Sequence, residues 1–386
     1  MKRHHFDRVV LTGIVFLLAG ILTGMSPVMT TATSAAVAAE PLTNAKYAVL
    51  LPAELEHPDG MTVDKNGNII LASPLAGKLG TTFLYKVDAK DNVEKYFELP
   101  AHPETGRVSP LGMAFGPDGN LYLCDGQELG GDPNHKSRVL RIVHENGKPV
   151  RSEVLVTGLV QANGLAVYGN KIYLTETRFA PAVVDVKGEK IVRSGVLCFD
   201  INEFRGGRQI HVAPYGRDPH YVHIFDTTDK ERNGEWLIGA NGIAFAKDGT
   251  LYVANFGDRE ILEIKLTPDG RKAASVRVCA KGDPMQSVDG IRVCPKGYVF
   301  VADFAGNAVH VVNPANGKIV MLAQYPLGAT DEQKKEGWLD RCSEPELRNG
   351  KVYVSNIDLP FGQETNAVHT LSVIDLEGLD LDKLLK

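Results

Sequence analysis

Ser287-Val288-Asp289-Gly290-Ile291-Arg292-Val293-Cys294-Pro295-Lys296-Gly297-Tyr298-Val299-Phe300-Val301-Ala302-Asp303 reads as an inward-facing strand, a tight turn and a returning strand, with one acidic residue on the same edge of each. The β-branched and aromatic residues favour extended backbone and Gly297 supplies the turn. Related copies recur along the chain. Four others share the template closely: Pro58-Asp59-Gly60-Met61-Thr62-Val63 before Ile69-Ile70-Leu71-Ala72-Ser73; Pro110-Leu111-Gly112-Met113-Ala114-Phe115 before Leu121-Tyr122-Leu123-Cys124-Asp125; Ala162-Asn163-Gly164-Leu165-Ala166-Val167 before Ile172-Tyr173-Leu174-Thr175-Glu176; and Ala240-Asn241-Gly242-Ile243-Ala244-Phe245 before Leu251-Tyr252-Val253-Ala254-Asn255. Ser343-Glu344-Pro345-Glu346-Leu347 before Val352-Tyr353-Val354-Ser355-Asn356 is a sixth copy, degenerate at its start.

A hairpin repeated at this period and followed each time by two more strand candidates is the signature of an all-β six-bladed propeller. Gly60, Gly112 and Gly164 stand 52 residues apart and Gly242 and Gly290 stand 48 apart; only Gly164 to Gly242, at 78, is stretched. The last copy lacks a fourth strand after His369-Thr370-Leu371-Ser372-Val373-Ile374, and Lys46-Tyr47-Ala48-Val49-Leu50-Leu51 can supply it, closing the ring without an exposed edge. Within an up-and-down blade the first strand starts where the second ends. Asp59, Asn163, Asn241 and Asp289 therefore share a face with Ser73, Asp125, Glu176, Asn255, Asp303 and Asn356, and the long connections 74–81, 126–136, 177–194, 214–238 and 326–341 are assigned to that face as well.

Residues 1–39 are set apart from the fold. Lys2, Arg3 and Arg8 precede an apolar run over 9–22, and Ala36-Val37-Ala38 offers an A-x-A cleavage site, so a secretory signal is expected, with the propeller domain over 40–386 in the periplasm or outside the cell. The apolar run is shorter than the roughly 20 residues needed to span a bilayer, so no stable membrane span is expected after cleavage. Removing this segment leaves a chain about 2 more negative than the whole-chain value of −5. A mildly acidic surface argues against nucleic acid, whose binding draws on clustered Lys and Arg. At 44% hydrophobic and 23% charged the composition is that of a globular protein, here expected to be a monomer acting on a small molecule. Cys124, Cys198, Cys279, Cys294 and Cys342 are widely spaced and odd in number, which indicates buried thiols rather than a disulfide framework or zinc site.

Around the axis the strand-start residues run Asp59, Leu111, Asn163, Asn241, Asp289 and one of Cys342, Ser343 or Glu344. Two carboxylates and two amide oxygens make a hard oxygen cage, which suits calcium better than magnesium or zinc. Turn chemistry alone also favours Asp-Gly and Asn-Gly, but it does not explain the blade-specific choice of side chain.

On Pro58-Asp59-Gly60, Ala162-Asn163-Gly164-Leu165, Asn241-Gly242-Ile243 and Val288-Asp289-Gly290-Ile291 the chain resembles, from about residue 46 to its end, the SMP-30/gluconolactonase/LRE family of calcium propellers, with more distant similarity to the paraoxonase and diisopropylfluorophosphatase hydrolases. The resemblance implies Asn163, Asn241 and Asp289 as calcium ligands, with Asp59 where the family generally has Glu. It also implies hydrolysis of a lactone or related ester. Sugar-lactonase members hold substrate with an Arg and an Asn of the second blade, and this chain departs from them with Gly106-Arg107-Val108-Ser109-Pro110-Leu111.

Asp289 is the candidate for both ligand and general base. Glu176 is a second base candidate, and His220, in the stretch expected to overhang the site, is a proton-shuttle candidate. Asp125, Asn255, Asp303 and Arg178 are candidate substrate contacts, with Arg341 as a further anion partner; surface solvation is the plain alternative for all of these charges. Two rival readings stay open: a non-enzymatic binding propeller of the NHL type, and a lyase on the same scaffold.

Overall fold

The computed structural model describes residues 40–75, 78–127, 135–179, 183–184, 187–232, 237–359 and 367–386. The expected secretory segment, 1–39, lies outside the described residues. Each repeat copy opens an antiparallel sheet. In order these are blade 1 (Met61–Val63, Ile69–Leu71, Thr82–Val87, Val93–Leu99), blade 2 (Pro110–Phe115, Leu121–Asp125, Ser137–Glu145, Lys148–Leu159) and blade 3 (Ala162–Tyr168, Lys171–Glu176, Lys190–Asp200, Tyr221–Thr227). They continue with blade 4 (Ala240–Phe245, Leu251–Asn255, Glu260–Leu266, Ala273–Lys281), blade 5 (Ile291–Val293, Val299–Asp303, Ala308–Asn313, Lys318–Gln324) and blade 6 (Cys342–Arg348, Lys351–Asn356, Thr370–Asp375). Tyr47–Leu50 lies as the fourth strand of blade 6, with Tyr47 opposite Val373 and Leu50 opposite Thr370. The six innermost strands touch in one closed cycle, blade 6 meeting blade 1 through Cys342–Arg348 and Met61–Val63. The molecule is a six-bladed β-propeller.

The second strands are apolar at nearly every position because both of their faces are covered. Alternate side chains serve alternate interfaces: Leu121 and Leu123 pack with Ile70 and Leu84 of blade 1, while Tyr122 and Cys124 pack with Leu165 and Leu174 of blade 3. The same division repeats around the ring, giving one buried cluster per pair of neighbouring blades. Cys124, Cys198, Cys279 and Cys342 are buried in these layers, and none of the five cysteines is paired.

Blade 3 explains the stretched spacing and corrects part of the loop assignment. Residues 214–238 do not form one overhanging loop, since Tyr221–Thr227 within them is the blade's outer strand. The insertion lies between the third and fourth strands. It begins with the 3-10 segment Ile201–Gly207, capped by Asp200 and Glu203, and adds Ile210–His211 in parallel to the outer strand of blade 2. Helix Asp331–Lys335 forms inside the long connection 326–341, with Thr330 and Gln333 making a capping box.

Candidate metal centre on the propeller axis

The Asp-Gly and Asn-Gly doublets owe their pattern to the ring rather than to turns. In blades 3 and 4 the inner strand carries one extra residue at the doublet: Ala162 and Leu165 oppose Glu176 and Leu174, and Ala240 and Ile243 oppose Asn255 and Val253. In blade 5 Asp289 and Gly290 both bond the single partner Ala302. Such bulges turn a side chain out of the ladder. Here they turn the polar residue toward the axis. The glycine that follows has an ordinary negative-side φ and is needed for approach: a Cβ on Gly242 would stand 2.6 Å from Asp289 O, and one on Gly164 would stand 2.5 Å from Asn241 O. Gly242 N–H donates to Asp289 O at 3.0 Å and Gly290 N–H to Ser343 O at 2.7 Å, stitching blades 4, 5 and 6 together.

Asp59, Asn163, Asn241 and Asp289 consequently line one cavity of about 110 Å³, with Leu111 at the blade 2 position. Asn163 Nδ2 donates to Thr177 Oγ1 at 3.2 Å, and that hydroxyl donates to Ala240 O at 2.7 Å, so the amide oxygen of Asn163 is left for the cavity. Asn241 is a polar neighbour of Asp289, and Ser343 of Asp59, each favouring the ionised carboxylate. Blade 6 resolves the ambiguity left by the sequence: Ser343 stands at the ring position, and Glu344 stands where the other blades have glycine, its carboxylate lying against Gly290. Arg292 reaches across to Glu344 Oε1 at 2.6 Å, Glu346 Oε2 at 3.1 Å and Met61 O at 2.8 Å, joining blades 5, 6 and 1 below the ring.

The electrostatics suit a cation. Burial holds Asp59 up at about 7, against the opposing pull of Ser343 and His57. Burial, with Asp59 and Glu344 as like-charged neighbours, pushes Asp289 well above the carboxylate range. Two buried carboxylates and two oriented amides are a donor set that hard divalent ions accept, so the residues present fit calcium.

The collar above this polar floor is apolar. Phe256, Phe304 and Ile357 line the cavity together with Ile238 and Leu359, and the Phe256 and Phe304 rings lie 6.1 Å apart. Arg341 sits over the Phe304 ring at 5.1 Å, and burial lowers its pKa. Phe256, Phe304 and Ile357 were missed in the sequence reading, although each directly follows the polar end of a second strand, in Asn255-Phe256, Asp303-Phe304 and Asn356-Ile357.

Those polar ends themselves do not line the cavity. Asp125 is fully buried, accepting from Ser109 N at 2.8 Å, Gln127 Nε2 at 2.9 Å and Arg138 Nε at 2.7 Å. Glu176 accepts from Val160 N at 2.7 Å and from the Tyr221 hydroxyl, and burial raises it to about 7. Asp303 takes Gln286 N, Ser287 N and Gly306 N together with His310 Nε2 at 3.0 Å, and Asn255 accepts from Thr227 Oγ1 at 2.8 Å. Asp125, Glu176 and Asp303 thus clamp the backbone that enters the inner strands two or three residues ahead of the ring position. His220 is also elsewhere: its Nδ1 bonds Asp218 Oδ1 at 2.6 Å, its ring stacks on Phe199 at 4.5 Å, and its carbonyl receives Cys198 N–H, placing it beside the outer part of blade 3. Arg178 is half-buried just beyond the second strand of blade 3 and is not among the lining residues.

Residues 209–330 match the SMP-30/Gluconolactonase/LRE-like region. The resemblance carried by the doublets is thereby borne out, over a stretch that holds Asn241 and Asp289. A search of curated proteins finds no match. Among solved structures, regucalcin, a calcium-binding protein from Agrobacterium tumefaciens, aligns over 86% of this chain and 95% of its own, with TM-score 0.53 and 11% identity. A gluconolactonase from Xanthomonas campestris aligns over 87% and 98%, with TM-score 0.51 and 15% identity. A PQQ-bound aldose sugar dehydrogenase from Streptomyces coelicolor aligns over 87% and 98%, with TM-score 0.51 and 14% identity. At such identities the likeness shows the fold alone, and the third neighbour shows that the scaffold carries more than one chemistry.

Proposed function

We propose that this chain is an exported, calcium-dependent hydrolase that opens a lactone or related ester at the propeller axis. The observation that carries the reading is the convergence of Asp59, Asn163, Asn241 and Asp289 on one cavity. The match to the SMP-30/gluconolactonase/LRE-like region and the calcium binding of regucalcin support it.

Asp59, Asn163, Asn241 and Asp289 would hold the ion. When bound, calcium supplies Lewis acidity, drawing electron density from a carbonyl oxygen and offsetting the negative charge that develops there. Asp289 takes the proton of the attacking water on a carboxylate oxygen, with Asn241 as the neighbour that favours its ionised form. Thr177 keeps the Asn163 amide in its orientation, and the apolar collar excludes bulk water. The clamps at Asp125, Glu176 and Asp303 hold the ring backbone in place.

The reading is tested by assaying calcium content, turnover of a lactone panel and product mass on one preparation. Expected are retained calcium, turnover abolished by chelation and restored by calcium, and a product heavier by one water. A product of unchanged mass would assign a lyase; binding without turnover would assign a binding propeller.

A further inference from the structure

We propose that Asp358 is a positioning residue of the metal centre: through His57 it fixes the direction in which the blade 1 donor, Asp59, enters the ring. The inference rests on the calcium reading and extends it to a side chain behind the cavity wall. Asp358 stands between Ile357 and Leu359, both of which line the cavity, and His57 stands two residues ahead of Asp59. His57 Nδ1 lies 3.1 Å from Asp358 Oδ1 and 3.0 Å from Ile357 O. Both partners only accept, so Nδ1 carries the proton and donates to blade 6.

The backbone shows what this bond holds. His57 has φ 55° and Asp358 has φ 44°, left-handed values that residues other than glycine adopt where their surroundings hold them there. Pro58 follows, which narrows the backbone open to His57 and fixes its own φ. The direction set at His57 is therefore passed on to Asp59, whose N–H donates to Ala72 O at 3.1 Å.

Blade 1 needs such a tie. In blades 2, 3 and 5 a carboxylate at the end of the second strand clamps the backbone entering the ring. Blade 1 has Ser73 there, and its hydroxyl donates to Glu56 O at 2.9 Å. The anion comes instead from blade 6, and it is well braced. Asp358 Oδ2 accepts from His369 Nδ1 at 2.8 Å and lies 3.6 Å from Lys334 Nζ, while Asp358 N–H donates to Asp340 O at 3.3 Å. Against the upward push of burial, the bonds from His369 and His57 hold its carboxyl below the ordinary range. Calcium accepts oxygens within a few tenths of an ångström of their proper distance, so the aim of Asp59 bears directly on affinity.

Calcium calorimetry and calcium-free crystal structures of the full chain test the role. Asp358→Ala is expected to weaken calcium about tenfold or more and to turn the Asp59 carboxylate away from its place in the parent. His57→Gly cuts the same tie and takes the left-handed backbone without penalty, so it is expected to act alike, and it decides alone should Asp358→Ala fail to fold. Lys334→Met loosens the same cluster at Oδ2, the oxygen not bonded to His57, and is expected to lower the melting temperature while calcium affinity holds. Parent affinity in Asp358→Ala and His57→Gly, an Asp59 carboxylate that keeps its place in both, or a loss in Lys334→Met as large as theirs would overturn the inference. A parent that takes up no calcium defeats the calcium reading instead, and the positions of Asp59 then decide the role of Asp358.

Discussion

Gly242 has the backbone of an ordinary strand residue, so by conformational entropy alone Gly242→Ala would gain about 0.4–1 kcal/mol. Its missing Cβ, however, is where blade 5 passes, with Asp289 O at 2.6 Å, and overpacking of this kind costs about 1–3 kcal/mol or more. Urea unfolding of Gly242→Ala is expected to show a lowered midpoint, and a raised one would remove the close-packed ring from the account. The neighbouring polar residue has a different task. Asp289→Asn keeps the size and the Asn241 contact but removes the proton acceptor, so kcat on a cleaved lactone is expected to fall by roughly 10²–10⁴ while the melting temperature holds or rises. The doublets were legible as polar residues converging on an axis; the bulge and the inter-blade approach were not, because the first depends on the register of the hairpin and the second on a blade more than 40 residues away. The collar residues escaped for another reason. A phenylalanine after a strand looks like ordinary core until its neighbours in space are known.

Among the elements, the second strands show where sequence reading fails. A carboxylate at the end of a hairpin defaults to solvent, so Asp125, Glu176 and Asp303 looked like candidates for substrate or base. Their partners are backbone N–H groups of the incoming loops, which no residue pattern displays. Glu176 gives a test with a sign. Burial, with Asp218 as a like-charged neighbour, raises it to about 7, against the hydrogen bonds from Tyr221 and Val160. The folded state thus holds a proton that the unfolded chain releases near the ordinary value of 4.5. Stability from this group is full below that value and is lost as pH rises through about 7. Glu176→Gln, neutral throughout and able to keep the Val160 contact, is expected to flatten the fall in melting temperature between pH 5 and 8; an unchanged slope would show that Glu176 is not the group responsible. The insertion of 201–220 was legible only as a length anomaly. Its course along blade 2 is fixed by the pairing of Ile210 with Val156, and that pairing is what takes His220 away from the axis.

For the whole molecule, closure was readable from the missing fourth strand of the last blade, and Tyr47–Leu50 pairs there in register. What the sequence did not reveal is the buried charge beside that seam. Lys334, 1% exposed, bonds Asp340 and lies 3.6 Å from Asp358, which also holds His57 at 3.1 Å and His369 at 2.8 Å. Lys334→Met would leave two carboxylates buried against fewer cations, and a loss of about 3–5 kcal/mol is expected by chemical denaturation. A loss below about 1 kcal/mol would mean that water already screens the cluster. The central claim concerns the axis, where four of the six blades bring four oxygen donors together. Diffraction from crystals grown with calcium tests it most directly. The account predicts one ion on the axis with side-chain oxygens of Asp59, Asn163, Asn241 and Asp289 at about 2.3–2.6 Å or bridged by water. Calcium absent from that cavity at saturating concentration, or bound only elsewhere, would contradict it.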